Sequence, residues 1–100
     1  MANRAPLSHD EIAAALIDLP GWSSERDALQ KTFEFKDYLA GIAFASAVGM
    51  VSEGLDHHPD LHIGWCKVTV RYNTHDAGSK VTAVDVKLAK AVEALPFKGK

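Results

Sequence analysis

The chain has 100 residues, of which 47% are hydrophobic and 24% are charged, and its formal net charge is −2. This length predicts one domain over residues 1–100, with no room for a second core. So weak and mixed a charge gives no electrostatic reason to expect binding to nucleic acid or to an anionic membrane surface. We therefore expect a small globular protein that binds neither.

The cysteine content and the apolar runs indicate a cellular compartment. Cys66 is the only cysteine, so the chain can form neither an internal disulfide nor a cysteine-rich zinc site. No stretch approaches the roughly 20 apolar residues of a membrane span. Residues 1–6 lack the apolar run of a secretory signal. These features predict a cytoplasmic protein.

The chain begins with a predicted helix over residues 8–19. Ser8 and Glu11 match the S-x-x-E capping box, in which two side chains satisfy amide donors at a helix start. Apolar residues then recur at spacings of three and four. Pro20 and Gly21 end the helix.

A predicted hairpin and a long helix follow. Residues 22–35 have a turn signal at Asp27 and apolar side chains at period two in the second arm, where Lys31 interrupts the alternation. Asp37 can cap a helix over residues 38–54, because its carboxylate can accept a hydrogen bond from a free amide. The wide apolar stripe of this helix suits packing against a sheet.

The second half of the chain predicts two more strands and a final helix. Residues 60–63 form a short extended segment, and residues 66–74 alternate apolar and polar side chains more regularly than any other segment. Thr82 and Asp85 resemble another cap, for a helix that reaches Leu95. The order α-β-β-α-β-β-α predicts an α+β fold, with a four-stranded antiparallel sheet and helices packed on one face.

Four of the five histidines lie within nineteen residues: His57, His58, His62 and His75. Imidazole exchanges protons near neutral pH because its unperturbed pKa is about 6.5. A carboxylate beside it can orient the ring, and Glu53, Asp56 and Asp60 are near the first pair. The two strands of a hairpin return to the same end of a sheet, so the His57-His58 pair and His75 could face one cavity. Cys66 offers no obvious nucleophile, because the alternation places it on the face expected to be buried.

Each of these features also has a structural explanation. An isolated His-His pair most often caps a loop or lies on the surface, and His9 and His62 fit exposed polar positions. Asp85 alone would be a carboxylate at a helix start, where the macrodipole favours it. The functional prediction therefore depends on the features occurring together.

Their combination resembles the pterin-4a-carbinolamine dehydratase family. The signature reads Glu53-Gly-Leu-Asp-His57-His58-Pro59, then Trp65, His75 and Asp85, at the family's spacings. The resemblance covers most of the chain, including the leading hairpin and the helix from Tyr38. Two departures are Leu61, where some members have tryptophan, and residues 78–82, which differ from a Gly-Gly-Leu-Thr-like stretch of the family.

The resemblance implies a hydro-lyase with 4a-hydroxytetrahydrobiopterin dehydratase activity. Such an enzyme removes water from the 4a-hydroxytetrahydropterin (pterin 4a-carbinolamine) left by aromatic amino acid hydroxylases. The product is quinonoid dihydropterin, so the reaction supports tetrahydrobiopterin recycling. The resemblance also implies that no metal or organic cofactor is needed, and that subunits pair as homodimers or homotetramers.

The same resemblance implies roles for individual residues. His57 and His75 form the acid-base pair, and His58 shapes the pocket and assists proton transfer. Contacts to the pterin, or support of the groups that make them, are implied for Glu53, Asp56, Pro59, Thr74 and Asp85.

Two other functions stay open from the sequence. The first is a non-catalytic dimerisation or regulatory protein of the same fold, because the family includes partners of a transcription factor. The second is a metal site that uses His57, His58, His62 and nearby carboxylates, since histidine is a common zinc ligand. Against the metal site, Pro59 prevents His58 and His62 from sharing a helical face.

Overall fold

The computed structural model describes residues 5–99 and confirms the predicted α+β architecture. Residues 1–4, which belong to the segment considered for a secretory signal, lie outside the described residues. The helices and strands are α1 His9–Leu16, β1 Ser23–Glu25, β2 Ala28–Glu34, α2 Tyr38–Gly54, β3 Asp60–Gly64, β4 Lys67–Tyr72 and α3 Ala83–Glu93. A short 3-10 turn, His75–Ala77, follows β4.

The four strands form one antiparallel sheet in the order β1-β2-β4-β3. Two hairpins, β1-β2 and β3-β4, are joined where β2 pairs with β4. Thr69 on β4 lies opposite Thr32 on one side and His62 on the other. Because β4 is central, its core-facing side chains Val68, Val70 and Tyr72 are fully buried.

The core lies between the sheet and the two long helices. Gly41 brings α2 close to the sheet, since a Cβ there would lie 3.3 Å from Val68 Cγ2. Buried apolar side chains of both helices pack against β2 and β4 as one cluster. Its main helical members are Phe44, Val48, Leu88 and Val92. The centre of the stripe predicted for residues 38–54 therefore packs on the sheet, whereas Leu39 and Met50, at its edges, are exposed.

Several element boundaries differ from the sequence-based expectation: β3 extends to Gly64, β4 ends at Tyr72, and three further differences have local causes or consequences. Helix α1 ends at Leu16, and residues 17–19 continue as a tight turn because Pro20 disfavours helical geometry in the residue before it. Strand β4 begins at Lys67 rather than at Cys66. Cys66 instead lies in the two-residue β3-β4 loop, half-buried and with φ +60°, so its predicted place on the buried strand face is wrong. Helix α3 ends at Glu93.

Lys31, which interrupts the alternation of β2, lies on the helix-facing side of the sheet opposite Val70. Its Nζ donates to Glu93 Oε2 at 2.8 Å and lies 4.7 Å from the centre of the Phe33 ring. Trp22 Nε1 donates to the same Glu93 oxygen at 3.0 Å. The apolar stem of Lys31 thus packs at the core's edge while its charge is paired.

Both predicted capping boxes are present, and they differ in burial. Glu11 and Ser8 exchange hydrogen bonds of 2.8 and 3.1 Å on an exposed surface. At α3, Asp85 Oδ2 accepts from the Thr82 amide at 2.8 Å and also from the Thr74 hydroxyl at 2.9 Å. Asp85 is fully buried. Its hydrogen bonds therefore have to compensate for most of its lost hydration.

Removal of the Asp85 carboxylate should destabilise the protein far more than removal of its counterpart on α1. Asp85→Ala leaves buried donors unsatisfied, at a cost of about 3 kcal/mol or more in the free energy of unfolding. Glu11→Ala, the matched control, should cost about 1 kcal/mol or less because water replaces the lost partner. Urea denaturation of both variants measures the difference, and equal costs would contradict the role given to burial.

The Tyr72 hydroxyl lies at the start of a buried hydrogen-bond chain. It donates to Ser52 Oγ at 2.7 Å, and Ser52 Oγ donates to the Val48 carbonyl at 2.7 Å. Burial raises the pKa of Tyr72 above its usual 10.0; the hydrogen bond to Ser52 opposes this change and the charge of Asp85 adds to it. Tyr72 therefore stays neutral in the folded protein at a pH where it ionises in the unfolded chain.

This difference predicts that the protein loses stability in alkali. The free energy of unfolding should fall as pH rises above about 10, where the unfolded chain begins to release the Tyr72 proton. Tyr72→Phe should weaken this fall, whereas Tyr38→Phe, at an exposed position, should leave it unchanged. Urea denaturation between about pH 9 and pH 11 provides the comparison. An identical pH dependence in wild type and Tyr72→Phe would refute the prediction.

Candidate active site

Three of the histidines line one cleft of about 420 Å³ at the end of β4. The cleft is lined by Asp56, His57, His58, Asn73, His75 and Asp76. The sequence-based expectation that the His57-His58 pair and His75 face one cavity is therefore confirmed. A larger depression of about 570 Å³ lies near Lys31 and the C-terminal residues, but no histidine lines it.

The end of α2 places His57 at the cleft through a Schellman motif. The His57 amide donates to the Ser52 carbonyl at 3.1 Å, and the Asp56 amide donates to the Glu53 carbonyl at 3.0 Å. Asp56 has φ +50°, the left-handed conformation that this motif requires and that glycine usually supplies. These two bonds fix the backbone that carries His57 relative to the helix.

His57 is nearly buried and is held by Asp85. Its Nε2 lies 2.7 Å from Asp85 Oδ1, and its ring is almost parallel to that of Tyr72, with centroids 6.4 Å apart. Asp85 Oδ2 accepts from the Thr82 amide and the Thr74 hydroxyl. Three donors around two oxygens suit a carboxylate, which accepts hydrogen bonds only. We therefore assign the proton of this contact to His57 Nε2.

This assignment leaves His57 Nδ1 as the chemically available nitrogen. Among residues 5–99, Nδ1 has no hydrogen-bond partner, and it is not a fully enclosed atom. His57 lines the cleft, and with the proton on Nε2 its Nδ1 carries a lone pair. A fixed acceptor backed by a buried carboxylate is the arrangement of a general base.

His58 is held much more loosely than His57. Its Nε2 lies 2.8 Å from Glu53 Oε1, and both side chains are more than half exposed. An exposed pair of this kind contributes little to stability. Glu53 does not line the cleft and instead reaches it through His58.

His75 lies on the 3-10 turn after β4 and is exposed. The Ala77 amide donates to the Thr74 carbonyl at 3.1 Å, and the Gly78 amide donates to the His75 carbonyl at 3.1 Å. Gly78 has φ +75°, which closes the turn. The backbone of His75 is thus fixed while its ring faces water.

Thr74, Asp85 and Pro59 do not line the cleft. Thr74 follows Tyr72 on the core side of β4, so its hydroxyl points inward and is fully buried. The expected direct contact of Thr74 with a ligand is therefore not available. Asp85 is fully buried and contacts His57 Nε2 through its Oδ1.

Two cleft residues, Asn73 and Asp76, were absent from the sequence-based set. Both flank Thr74-His75 in the chain, and that proximity was the available signal. Trp65, in contrast, lies in the β3-β4 loop at the other end of the strands and is 81% exposed. Trp65 belongs to the family signature, but it does not line this cleft.

The metal-site alternative requires His57, His58 and His62 to come together. His62 lies on β3 opposite Thr69 and does not line the cleft. Within residues 5–99, no group of three or more His, Cys, Asp or Glu side chains is arranged to hold a metal ion.

In the same part of the chain, no helix has both the length and the apolar character to cross a membrane.

Comparisons with known proteins identify the family of this chain. The family model described as pterin 4 alpha carbinolamine dehydratase matches residues 5–95. Curated relatives carry the provisional name pterin-4-alpha-carbinolamine dehydratase. One from Thermosynechococcus vestitus is 46% identical over 95 residues, which cover 95% of this chain and 97% of the relative. One from Natronomonas pharaonis is 45% identical, covering 89% and 94%.

Solved structures show the same likeness. A transcriptional coactivator/pterin dehydratase from Brucella melitensis superposes with a TM-score of 0.84 at 31% identity, over 94% of this chain and 99% of the other. A pterin dehydratase-like protein identified as a RuBisCO assembly factor in the alpha-carboxysome has a TM-score of 0.58 at 23% identity, over 73% and 83%, and shows the fold alone. Because the family model matches residues 5–95, nearly the whole of this chain, the chain belongs to the pterin-4-alpha-carbinolamine dehydratase family.

Proposed function

We propose that this protein catalyses the dehydration of 4a-hydroxytetrahydropterin to quinonoid dihydropterin and water. The observation that carries the proposal is the buried His57-Asp85 pair at the wall of a cleft that His75 also lines. We further propose that it acts as a single-domain cytoplasmic enzyme that supports tetrahydrobiopterin recycling.

The reaction needs one proton acceptor and one proton donor. The C4a–O bond breaks as its oxygen receives a proton and leaves as water, and ring nitrogen N5 loses a proton as the C=N bond forms. His57 Nδ1 is suited to take the N5 proton, because Asp85 stabilises the resulting imidazolium through Nε2. His75 is suited to protonate the departing hydroxyl, and its exposure lets water restore its proton. The substrate thus loses one proton from N5 and gains one on the departing oxygen, so that it releases one water molecule without a change in net charge.

The remaining polar groups of the cleft suit binding of the pterin ring. Its aminopyrimidinone edge presents both N–H donors and a carbonyl acceptor. Asn73 can satisfy either kind with its amide, and Asp56 and Asp76 supply acceptors. His58, linked to Glu53, can reorient because the pair is exposed. We assign these residues to binding and His58 to assistance in proton transfer.

We also propose that the protein works as a homodimer or homotetramer. Several large apolar side chains of α2 are exposed, including Leu39 at 73% and Met50 at 76%. Burial of such side chains between subunits would stabilise an oligomer by about 25 cal/mol per Å² of apolar surface removed from water. A non-catalytic regulatory protein of this fold would use the same surface, so catalysis itself must be measured.

Stopped-flow dehydration of freshly generated 4a-hydroxytetrahydropterin is the direct assay. Wild type should accelerate the reaction, and His57→Ala and His75→Ala should each lower kcat by about 10²–10⁴-fold, the usual contribution of a general acid or base. His58→Ala should have a smaller effect. The matched control is His62→Ala, an exposed histidine outside the cleft, which should retain wild-type kcat.

Circular dichroism of each variant separates lost chemistry from lost folding. Wild-type activity in folded His57→Ala and His75→Ala would refute the assigned pair. A folded, oligomeric wild type that dehydrates the substrate no faster than buffer would favour the regulatory alternative.

A further inference from the structure

Two buried threonines lie directly behind the Asp85 carboxylate. Thr74 Oγ1 is 2.9 Å from Asp85 Oδ2, and Thr82 Oγ1 is 2.7 Å from Thr74 Oγ1. Both side chains are fully buried, and neither lines the cleft. Their hydroxyls therefore interact with protein groups alone, and the direction of each hydrogen bond can be deduced.

The hydroxyl protons point one way along this chain. Asp85 can only accept, so Thr74 donates its one proton to Oδ2. The Thr74 oxygen is then the acceptor for Thr82, whose own oxygen accepts from the Val84 amide at 3.3 Å. Thr82 Oγ1 also lies 3.5 Å from Asp85 Oδ2, but the contact to Thr74 is much shorter. The chain thus runs from the start of α3 through both hydroxyls to the carboxylate.

This arrangement decides which carboxylate oxygen meets His57. Oδ2 is occupied by the Thr74 hydroxyl and the Thr82 amide, which leaves Oδ1 for His57 Nε2. Rotation of the carboxylate would break two buried hydrogen bonds at once. The side chain is therefore locked with one oxygen aimed at the imidazole.

Thr74 also holds the second histidine of the proposed pair. Its amide donates to the Lys80 carbonyl at 2.9 Å, and its carbonyl accepts from the Ala77 amide at 3.1 Å. These bonds close the turn that carries His75. One residue thus joins His57, through Asp85, to His75, through the backbone.

We propose that Thr74 is a positioning residue, supported by Thr82, that aligns the Asp85-His57 pair and sets its geometry relative to His75. The proposal rests on the proposed dehydration, because that reaction is what needs the alignment. It assigns Thr74 to a role behind the cleft rather than to contact with the pterin.

Thr74→Val tests the proposal, because it nearly preserves the side chain's shape and replaces only the hydroxyl, by a methyl group. ¹⁵N spectroscopy of the imidazoles should show the Nε2–H tautomer of His57 in wild type and a smaller fraction of it in Thr74→Val. In the stopped-flow assay kcat should fall about tenfold to hundredfold, as expected for a displaced catalytic group, with KM changed by less than about twofold. Thr74→Ser, which keeps the hydroxyl, should recover most of both properties.

The exposed Thr32-Thr69 pair provides the matched control, since its hydroxyls lie 2.8 Å apart on the sheet surface. Thr69→Val should alter neither the His57 tautomer nor kcat. If Thr74→Val does not fold, wild type still tests the chain of hydrogen bonds. The Thr74 and Thr82 hydroxyl protons should exchange with water much more slowly than those of Thr32 and Thr69.

The two readouts separate this proposal from the proposed function. A wild type without dehydratase activity, but with the tautomer shift in Thr74→Val, would refute dehydration and leave the positioning role intact. An active wild type with unchanged tautomer and kcat in folded Thr74→Val would overturn the positioning role. Hydroxyl exchange as fast as that of the exposed pair would overturn it as well.

Discussion

A buried carboxylate is costly unless several donors replace the water it has lost. Asp85 has its donors from three separate parts of the chain: the start of α3, the residue after β4, and the loop that follows α2. Its position in the first turn of α3 also places it where the helix macrodipole favours negative charge. The helix, the sheet and the histidine loop therefore meet at one carboxylate, and displacement of any of them would leave a buried charge less well satisfied.

Because the buried Asp85 carboxylate needs His57 as a donor, His57 differs from the other two histidines of the cleft in burial and in access to water. His57 is nearly buried, with one nitrogen committed to Asp85. His58 and His75 are exposed, so their rings can exchange protons with water. A fixed acceptor beside water-accessible donors suits a reaction that removes one proton from the substrate and adds another. The Schellman motif before His57 and the short turn at His75 fix the backbone on both sides of the cleft.

Local patterns in the sequence predicted most of the fold. The capping boxes at Ser8 and Thr82 and the alternation of β4 gave the helix starts and the central strand, because each depends on residues close together in the chain. Lys31 could not be explained that way, since its partner Glu93 is distant in sequence. The turn at Asp56 was missed because a non-glycine residue occupies the left-handed position.

The sequence predicted which residues form the candidate site, but not how their side chains are arranged in space. The family signature brings His57, His75 and Asp85 together, but residue spacing does not say which side chain is buried or which atom faces a ligand. The hydrogen bond between His57 and Asp85 joins residues 28 apart, and Thr74 contributes through a hydroxyl that points away from the cleft. Such relations depend on packing between elements, and they become visible only in three dimensions.

In the proposed mechanism, Asp85 acts on catalysis by holding His57 and stabilising its imidazolium form. A double-mutant cycle of Asp85→Asn and His57→Ala, measured as kcat for dehydration of 4a-hydroxytetrahydropterin, tests it most directly. Asp85→Asn should lower kcat in the wild-type background and have no further effect once His57 is removed. If Asp85→Asn instead lowers kcat by the same factor in both backgrounds, Asp85 acts independently of His57, and the proposed coupling of the two residues is wrong.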